Sequence, residues 1–172
     1  MILSSDKLST AFVSSCPTSS TLLTMKIEEE IKQQKFRSAY QKAVINLLYT
    51  ASWLQGKQQD FFKPFKITPQ QFNILRILKG QHPKSISATE IKLRMLDKNS
   101  DVSRLLDRLL AKNLISKKTC PNDKRATDVN ITEPGLELLK SLEKYQNELD
   151  GVLSINEEEA ARLSELLDKC RE

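Results

Sequence analysis

Residues 99–125 read NSDVSRLLDRLLAKNLISKKTCPNDKR, and this stretch decides the fold. Val102, Leu105, Leu106, Leu109 and Leu110 recur at steps of three and four, which places them on one face of a short helix. Ser100, Ser103, Arg104, Asp107 and Arg108 fall on the opposite face, and all of them can hydrogen-bond. Asn113 tolerates the left-handed conformation of a helix C-terminus, so the helix is expected to end there. Two strand-like runs follow, 115–120 and 127–131, joined by a turn-rich tip over 121–126.

Immediately upstream, Ser87-Ala-Thr-Glu90 has the spacing of a capping box, with Ile91, Leu93, Met95 and Leu96 as apolar anchors after it. That short helix, a turn around 97–99 and the helix opening at Ser100 make a helix-turn-helix pair. With the basic hairpin behind it, the expected architecture is a winged helix-turn-helix, mainly α with a small two-stranded β-wing. In this geometry the polar-faced helix enters the major groove of DNA, and the hairpin reaches the flanking backbone or minor groove.

Further out, 27–63 reads as one helix, with Phe36, Tyr40, Ala43, Val44, Leu47, Leu48, Ala51 and Leu54 on an apolar face. Pro64 ends it. Thr68-Pro-Gln-Gln71 opens the next helix as a second capping box, and Phe72, Leu75 and Leu78 supply its buried face. Beyond the hairpin, Thr132 caps a helix with Leu138, Leu139, Leu142, Tyr145 and Leu149 in its stripe, broken by Gly151. Asn156 and Glu159 cap a last helix bearing Leu163, Leu166 and Leu167. Glu157, Glu158 and Glu159 sit at its N-terminus, where the helix dipole favours negative charge.

Charge is unevenly spread. The chain carries 27 Lys and Arg against 22 Asp and Glu, a net charge of +5 over 172 residues. The acidic excess lies after residue 131 and the basic excess before it. This asymmetry suits a polyanion on one side and a separate assembly surface on the other, although ordinary solvated surface has the same composition. Cys16, Cys120 and Cys170 are widely spaced and odd in number, which is neither a disulfide framework nor a metal clip. A reducing, cytoplasmic setting follows. No apolar run is long enough to span a membrane. Residues 1–24, rich in Ser and Thr, are expected to form a disordered tail, with Met25 as the alternative true start.

Four local words occur in a fixed order: Ile67-Thr-Pro-Gln-Gln-Phe72, Asp101-Val-Ser-Arg-Leu-Leu-Asp-Arg-Leu109, Pro121-Asn-Asp-Lys-Arg125 and Ile131-Thr-Glu-Pro-Gly135. Together they resemble the MarR (multiple-antibiotic-resistance regulator) family of bacterial transcription regulators over about residues 35–150. Two positions depart from the family pattern: Asn113 stands where Gly is common, and Pro134 where a basic residue is usual.

The resemblance implies a winged-helix domain over 26–150 and a C-terminal dimerisation helix over 151–172. It further implies a homodimeric repressor on a near-palindromic operator in double-stranded DNA, relieved by a small-molecule effector or by oxidation. Ser100, Asp101, Ser103 and Arg104 would then face base edges or phosphates. Arg125 would enter the minor groove, oriented by Asp123, because a planar guanidinium suits a narrow electronegative groove. Lys117, Lys118 and Lys124 would meet phosphates. Thr89, Lys98, Asn99 and Arg108 complete the expected DNA-contacting set. Expected dimer contacts are Ile27, Ile31, Leu149, Leu153, Leu163, Leu166 and Leu167.

Each assignment has a plainer counterpart. Arg104 and Arg108 can pair with Asp101 or Asp107 at helical spacing. Asp123 and Arg125 can stabilise a turn. Tyr49, Trp53, Phe61 and Phe72 are candidates for an effector cavity, and core packing accounts for them equally. Cys120, near Lys117 and Lys118, is a candidate redox switch or an incidental thiol. His82 reads as loop chemistry, since a metal site needs several convergent ligands, and no metal or cofactor is expected. An enzyme is disfavoured: there is no nucleophile-base pair around the lone histidine and no Gly-rich phosphate loop among four glycines. The alternative to DNA binding is a winged-helix module whose basic face meets an acidic protein.

Overall fold

The computed structural model describes residues 25–120 and 123–171, without the side chains of 119–127 and of Gln146. The expectations for the 1–24 tail, the Met25 start and Cys16 lie outside the described residues. The chain divides after Leu47 into two units.

In the first unit, α1 (Ile27–Glu30) ends where Lys32 turns left-handed at φ 54°. The Gln33 amide then donates to the Glu28 carbonyl at 3.0 Å and the Lys32 amide to Glu29 at 3.3 Å, a double closure that stops the helix. The single helix expected from residue 27 is therefore interrupted, and α2 (Ala39–Phe62) begins afresh. The strain of a left-handed lysine has no sequence signature of the kind that Gly or Asn supplies. Lys42 holds this segment together, its ammonium 2.5 Å from Glu28 Oε1 and 6.0 Å from the centre of the Phe36 ring. That hydrogen bond holds the Glu28 carboxyl below its ordinary pKa.

In the second unit, a 3-10 turn (Lys63–Phe65) containing Pro64 ends α2, and Lys66 at φ 56° redirects the chain into α3 (Pro69–Lys79). The Thr68–Gln71 capping box forms as the spacing predicts. β1 (Ile86–Ser87) leads into α4 (Ala88–Arg94), whose Ser87–Glu90 box also forms. α5 (Val102–Ala111) is followed by β2 (Ile115–Cys120), β3 (Asp123–Ile131) and α6 (Glu133–Glu143). The chain ends with α7 (Gln146–Asp150), a 3-10 turn (Gly151–Leu153) and α8 (Glu157–Lys169).

Ile74, Leu75 and Leu78 of α3, Ile91 and Met95 around α4, and Leu106 and Leu109 of α5 are almost wholly buried in one core. The sheet closes it with Ile86, Ile115, Val129 and Ile131, and α6 adds Leu139. A second cluster joins Phe62, Ile67 and Leu142, with Phe61, Phe65 and Phe72 packed against it. Gly135 is required by close approach: a Cβ there would sit 2.3 Å from the Leu114 carbonyl oxygen.

The two-stranded wing, β2 and β3, forms as expected, and β1 joins it in a three-stranded antiparallel sheet of order β1-β3-β2, because Ile86 and Ser87 pair with Val129 and Asp128. A two-residue strand is too short to leave a period-2 pattern. β3 begins at Asp123, so part of the expected turn tip is strand, with an irregularity between Thr119 and Cys120. The helix expected to run to Gly151 breaks around Lys144 and Tyr145 into α6 and α7. Leu93 and Leu96 are not anchors but are 71% and 86% exposed, since α4 stops at Arg94 and only Ile91 and Met95 reach the core.

Much of the α2 stripe is also uncovered: Tyr40, Val44 and Leu48 are exposed, and Phe62 is the only residue of α2 that is buried among those described. Among the described residues, no helix is long and apolar enough to cross a membrane.

Candidate nucleic-acid interface

The interface is built on the turn between α4 and α5. Asp97 organises it: Oδ1 accepts from the Asn99 amide and Oδ2 from the Ser100 hydroxyl, both at 2.9 Å. Such a carboxylate turn needs only a short acidic side chain two residues before the amide it binds. Lys98 closes the same turn by donating to the Leu93 carbonyl at 2.6 Å. Asn73 of α3 ties the turn to the core, accepting the Leu96 amide at 3.0 Å.

α5 then starts two residues later than Ser100. Asp101 is its N-cap, and the Asp101 carboxylate accepts the Arg104 amide at 3.1 Å. The same carboxylate lies 3.2 Å from Arg104 Nε, so Asp101 both starts the helix and orients the guanidinium. The Arg104 side chain is 81% exposed, projecting clear of the core. Ser103, Asp107 and Arg108 are exposed beside it, while Val102, Leu106 and Leu109 face inward. The expected polar face is therefore present, except that Leu110 of the expected apolar stripe is 40% exposed.

At the far end, Asn113 adopts φ 57°, and the Leu114 amide donates to Leu109 and the Asn113 amide to Leu110. This paired closure is the stop predicted from the Asn. It sends the chain directly into β2 and sets the wing beside the helix.

On the wing, Lys117 is tied down rather than free. Its ammonium lies 2.6 Å from Asp107 Oδ1, and its side chain is only 23% exposed. Lys118 is exposed, opposite Asp128 in the β2-β3 register. The backbone of Asp123, Lys124 and Arg125 runs in β3, but their side chains, and that of Cys120, lie outside the described residues. Thr89 is exposed on α4.

The four aromatic candidates do not converge. Tyr49 and Trp53 line an open groove along α2 with Lys57 and Asp60. Phe72 lines a separate cavity of about 430 Å³, shared with Phe62, Asn73, Arg76, Leu96 and Asp97. Phe61 lines neither; it packs edge-on against Phe62 at 5.0 Å and Tyr145 at 6.3 Å. Of the expected dimer contacts, Leu163 and Leu166 are 40% and 54% exposed. Ile31, Leu149, Leu153 and Leu167 are half-buried, and Ile27 is buried. Among the described residues, no group of three or more His, Cys, Asp or Glu side chains could hold a metal ion. Asp97 and Asn73 carry the turn without figuring among the expected site residues; the Asp-x-Asn-Ser spacing was the available signal for Asp97.

A family model described as MarR family matches residues 67–127, which run from the elbow before α3 to the middle of β3. The HTH-type transcriptional regulator MhqR of Bacillus subtilis is 30% identical over 107 residues, covering 60% of this chain and 71% of that protein. The crystal structure of a MarR transcription factor from Planctomyces limnophilus superposes with a TM-score of 0.61 at 30% identity, covering 80% of this chain and 98% of that one. A mutant E. coli MarR crystallised with operator DNA shares the fold, with a TM-score of 0.62 at 24% identity, covering 77% and 99%.

Proposed function

The chain belongs to the MarR family of transcription regulators, and from that premise we propose that it is a homodimeric repressor of a near-palindromic operator. One observation carries the proposal. α5 buries Val102, Leu106 and Leu109 and leaves Ser103, Arg104 and Arg108 in solvent, so these three side chains contribute nothing to the core and present a polar face outward. An exposed Arg104 aimed by its own helix cap is pre-organised for base or phosphate contact. The structural neighbour crystallised with operator DNA supports a duplex as the partner.

The winged-helix domain is assigned to 26–150 and the dimerisation helix to 151–172. Two copies would present their α5 helices to major grooves about one helical turn apart. Lys118, Lys124 and Arg125 would extend the contact from the wing, with Lys117 reaching phosphate only if it leaves Asp107. An effector that prefers the spacing of the α5 helices incompatible with DNA would relieve repression by population shift. The cavity beside Phe72 is the better placed of the two for such a ligand, because Leu96 and Asp97 belong both to its wall and to the turn before α5.

The test is a gel shift at fixed salt, with a palindromic fragment obtained by binding-site selection and a scrambled duplex. Selective retention of the palindrome is expected, and Arg104→Ala should weaken it by about 1–3 kcal/mol with the melting temperature unchanged. Equal binding of both duplexes would instead favour an acidic protein as partner.

A further inference from the structure

Lys112 follows the last turn of α5 and is exposed, so by position it belongs with the cations that would meet phosphate. Its ammonium is turned toward protein instead. It donates to the Lys66 carbonyl and to Gln71 Oε1, the latter at 3.3 Å. Both acceptors are fixed by other parts of the fold. Lys66 occupies the left-handed elbow between the turn that ends α2 and the start of α3. Gln71 is 1% exposed, and the same Oε1 accepts the Thr68 amide at 3.2 Å within the capping box of α3. A buried amide oxygen held by a helix cap is a rigid acceptor. Elsewhere on α3, Asn73 holds the Leu96 amide at the start of the turn that leads from α4 to α5. The first turns of α3 therefore hold both the turn before α5 and the residue that follows its last turn.

We propose that Lys112 is a positioning residue that ties the C-terminal end of α5 to the elbow before α3, setting the angle at which the helix meets DNA without itself touching phosphate. This rests on the DNA-binding role proposed above. α5 has ten residues, about 15 Å of helix, so a small displacement of its tail tilts the side chains at its head. Contacts to base edges demand close registration, whereas phosphate contacts tolerate displacement. Releasing the tail should therefore weaken specific binding and spare non-specific binding.

The experiment compares the unmodified protein with Lys112→Met and Lys112→Arg, each titrated with the selected palindrome and a scrambled duplex across a salt series. Lys112→Met is expected to lose about fivefold to tenfold in affinity for the palindrome. Its affinity for the scrambled duplex and its slope of log K against log salt should stay unchanged, and Lys112→Arg should restore the palindrome. A slope reduced by about one unit, with both duplexes weakened together, would mark Lys112 as a phosphate contact and overturn the proposal. Unchanged affinity for the palindrome would overturn it as well. If the unmodified protein does not prefer the palindrome, the DNA-binding role itself fails. Hydrogen exchange over residues 66–71 then judges the tie alone: faster exchange in Lys112→Met supports it, and equal exchange refutes it.

Discussion

α5 and α8 are built on the same plan and end in different surroundings. Each opens on a side-chain cap, Asp101 accepting the Arg104 amide and Asn156 accepting the Glu159 amide. Each carries leucines at helical spacing on one face. In α5 that face is inside, with Leu106 and Leu109 at 2% and 0% exposure. In α8 no described residue is buried, and Leu163 and Leu166 stand in solvent. Local sequence makes both helices amphipathic; only the presence of something to pack against turns an apolar stripe into core. The difference separates a helix that completes a domain from one whose apolar face no described part of its own chain buries, the face that the proposed dimer would cover.

The sharpest way to break this contrast is to truncate one leucine on each helix and measure urea unfolding in dilute protein. Leu109→Ala should cost about 2–5 kcal/mol, because the site is fully enclosed and cannot collapse onto the void. Leu166→Ala should cost less than about 1 kcal/mol under the same conditions. Equal losses would mean that α8 is packed within its own chain. The enclosed side is sharpened by Gly135→Ala, whose added methyl would meet the Leu114 carbonyl oxygen at 2.3 Å and Ile131 Cγ1 at 2.7 Å. That collision should cost about 1–3 kcal/mol, read as a lowered melting temperature.

The exposed side is tested by Leu163→Glu together with Leu166→Glu. The doubly substituted chain should keep its circular dichroism spectrum and sediment as a monomer, with self-association weakened by about tenfold or more. An unaltered sedimentation coefficient would refute α8 as a surface of self-association.

The smallest expected effect is electrostatic. Glu143 accepts from Lys79 at 2.5 Å, and that hydrogen bond holds its carboxyl below the ordinary value. A folded-state pKa below the unfolded one contributes stability above the unfolded pKa, and that stability is lost as the pH falls through the folded one. Glu143→Gln should therefore differ slightly from the unmodified protein near neutral pH and converge with it in acid. The pair is solvent-exposed, so the difference should shrink further in high salt.

What could be read from the residues alone follows a pattern. All three capping boxes, at Thr68, Ser87 and Asn156, form as their spacing predicts, because donor and acceptor lie within three residues. Asn113 stops α5 for an equally local reason. The interruption at Lys32 has no signal in the sequence because lysine carries no turn preference, and β1 has none because two residues have no periodicity. Among the site residues, the exposed face of α5 was legible from leucine spacing. The commitments of the charged groups on and around it were not: Asp101 caps the helix, Lys117 on β2 pairs with Asp107, and Lys112 beyond the last turn binds Lys66 and Gln71. Each cation is the same letter whether it points to solvent or to a carbonyl 46 residues away.

The chain by itself determined where helices begin, which of their faces are apolar, and the order of helix, turn, helix and hairpin that places it among winged-helix regulators. Those features rest on interactions between neighbours a few residues apart, which the sequence states directly. Tertiary structure decided which apolar faces find a partner within the chain, that Ile86 and Ser87 complete a third strand, and which lysines remain free to meet a polyanion. Those outcomes depend on groups brought together from distant positions, where a hydrogen bond or a buried methyl exists only once the backbone has closed around it.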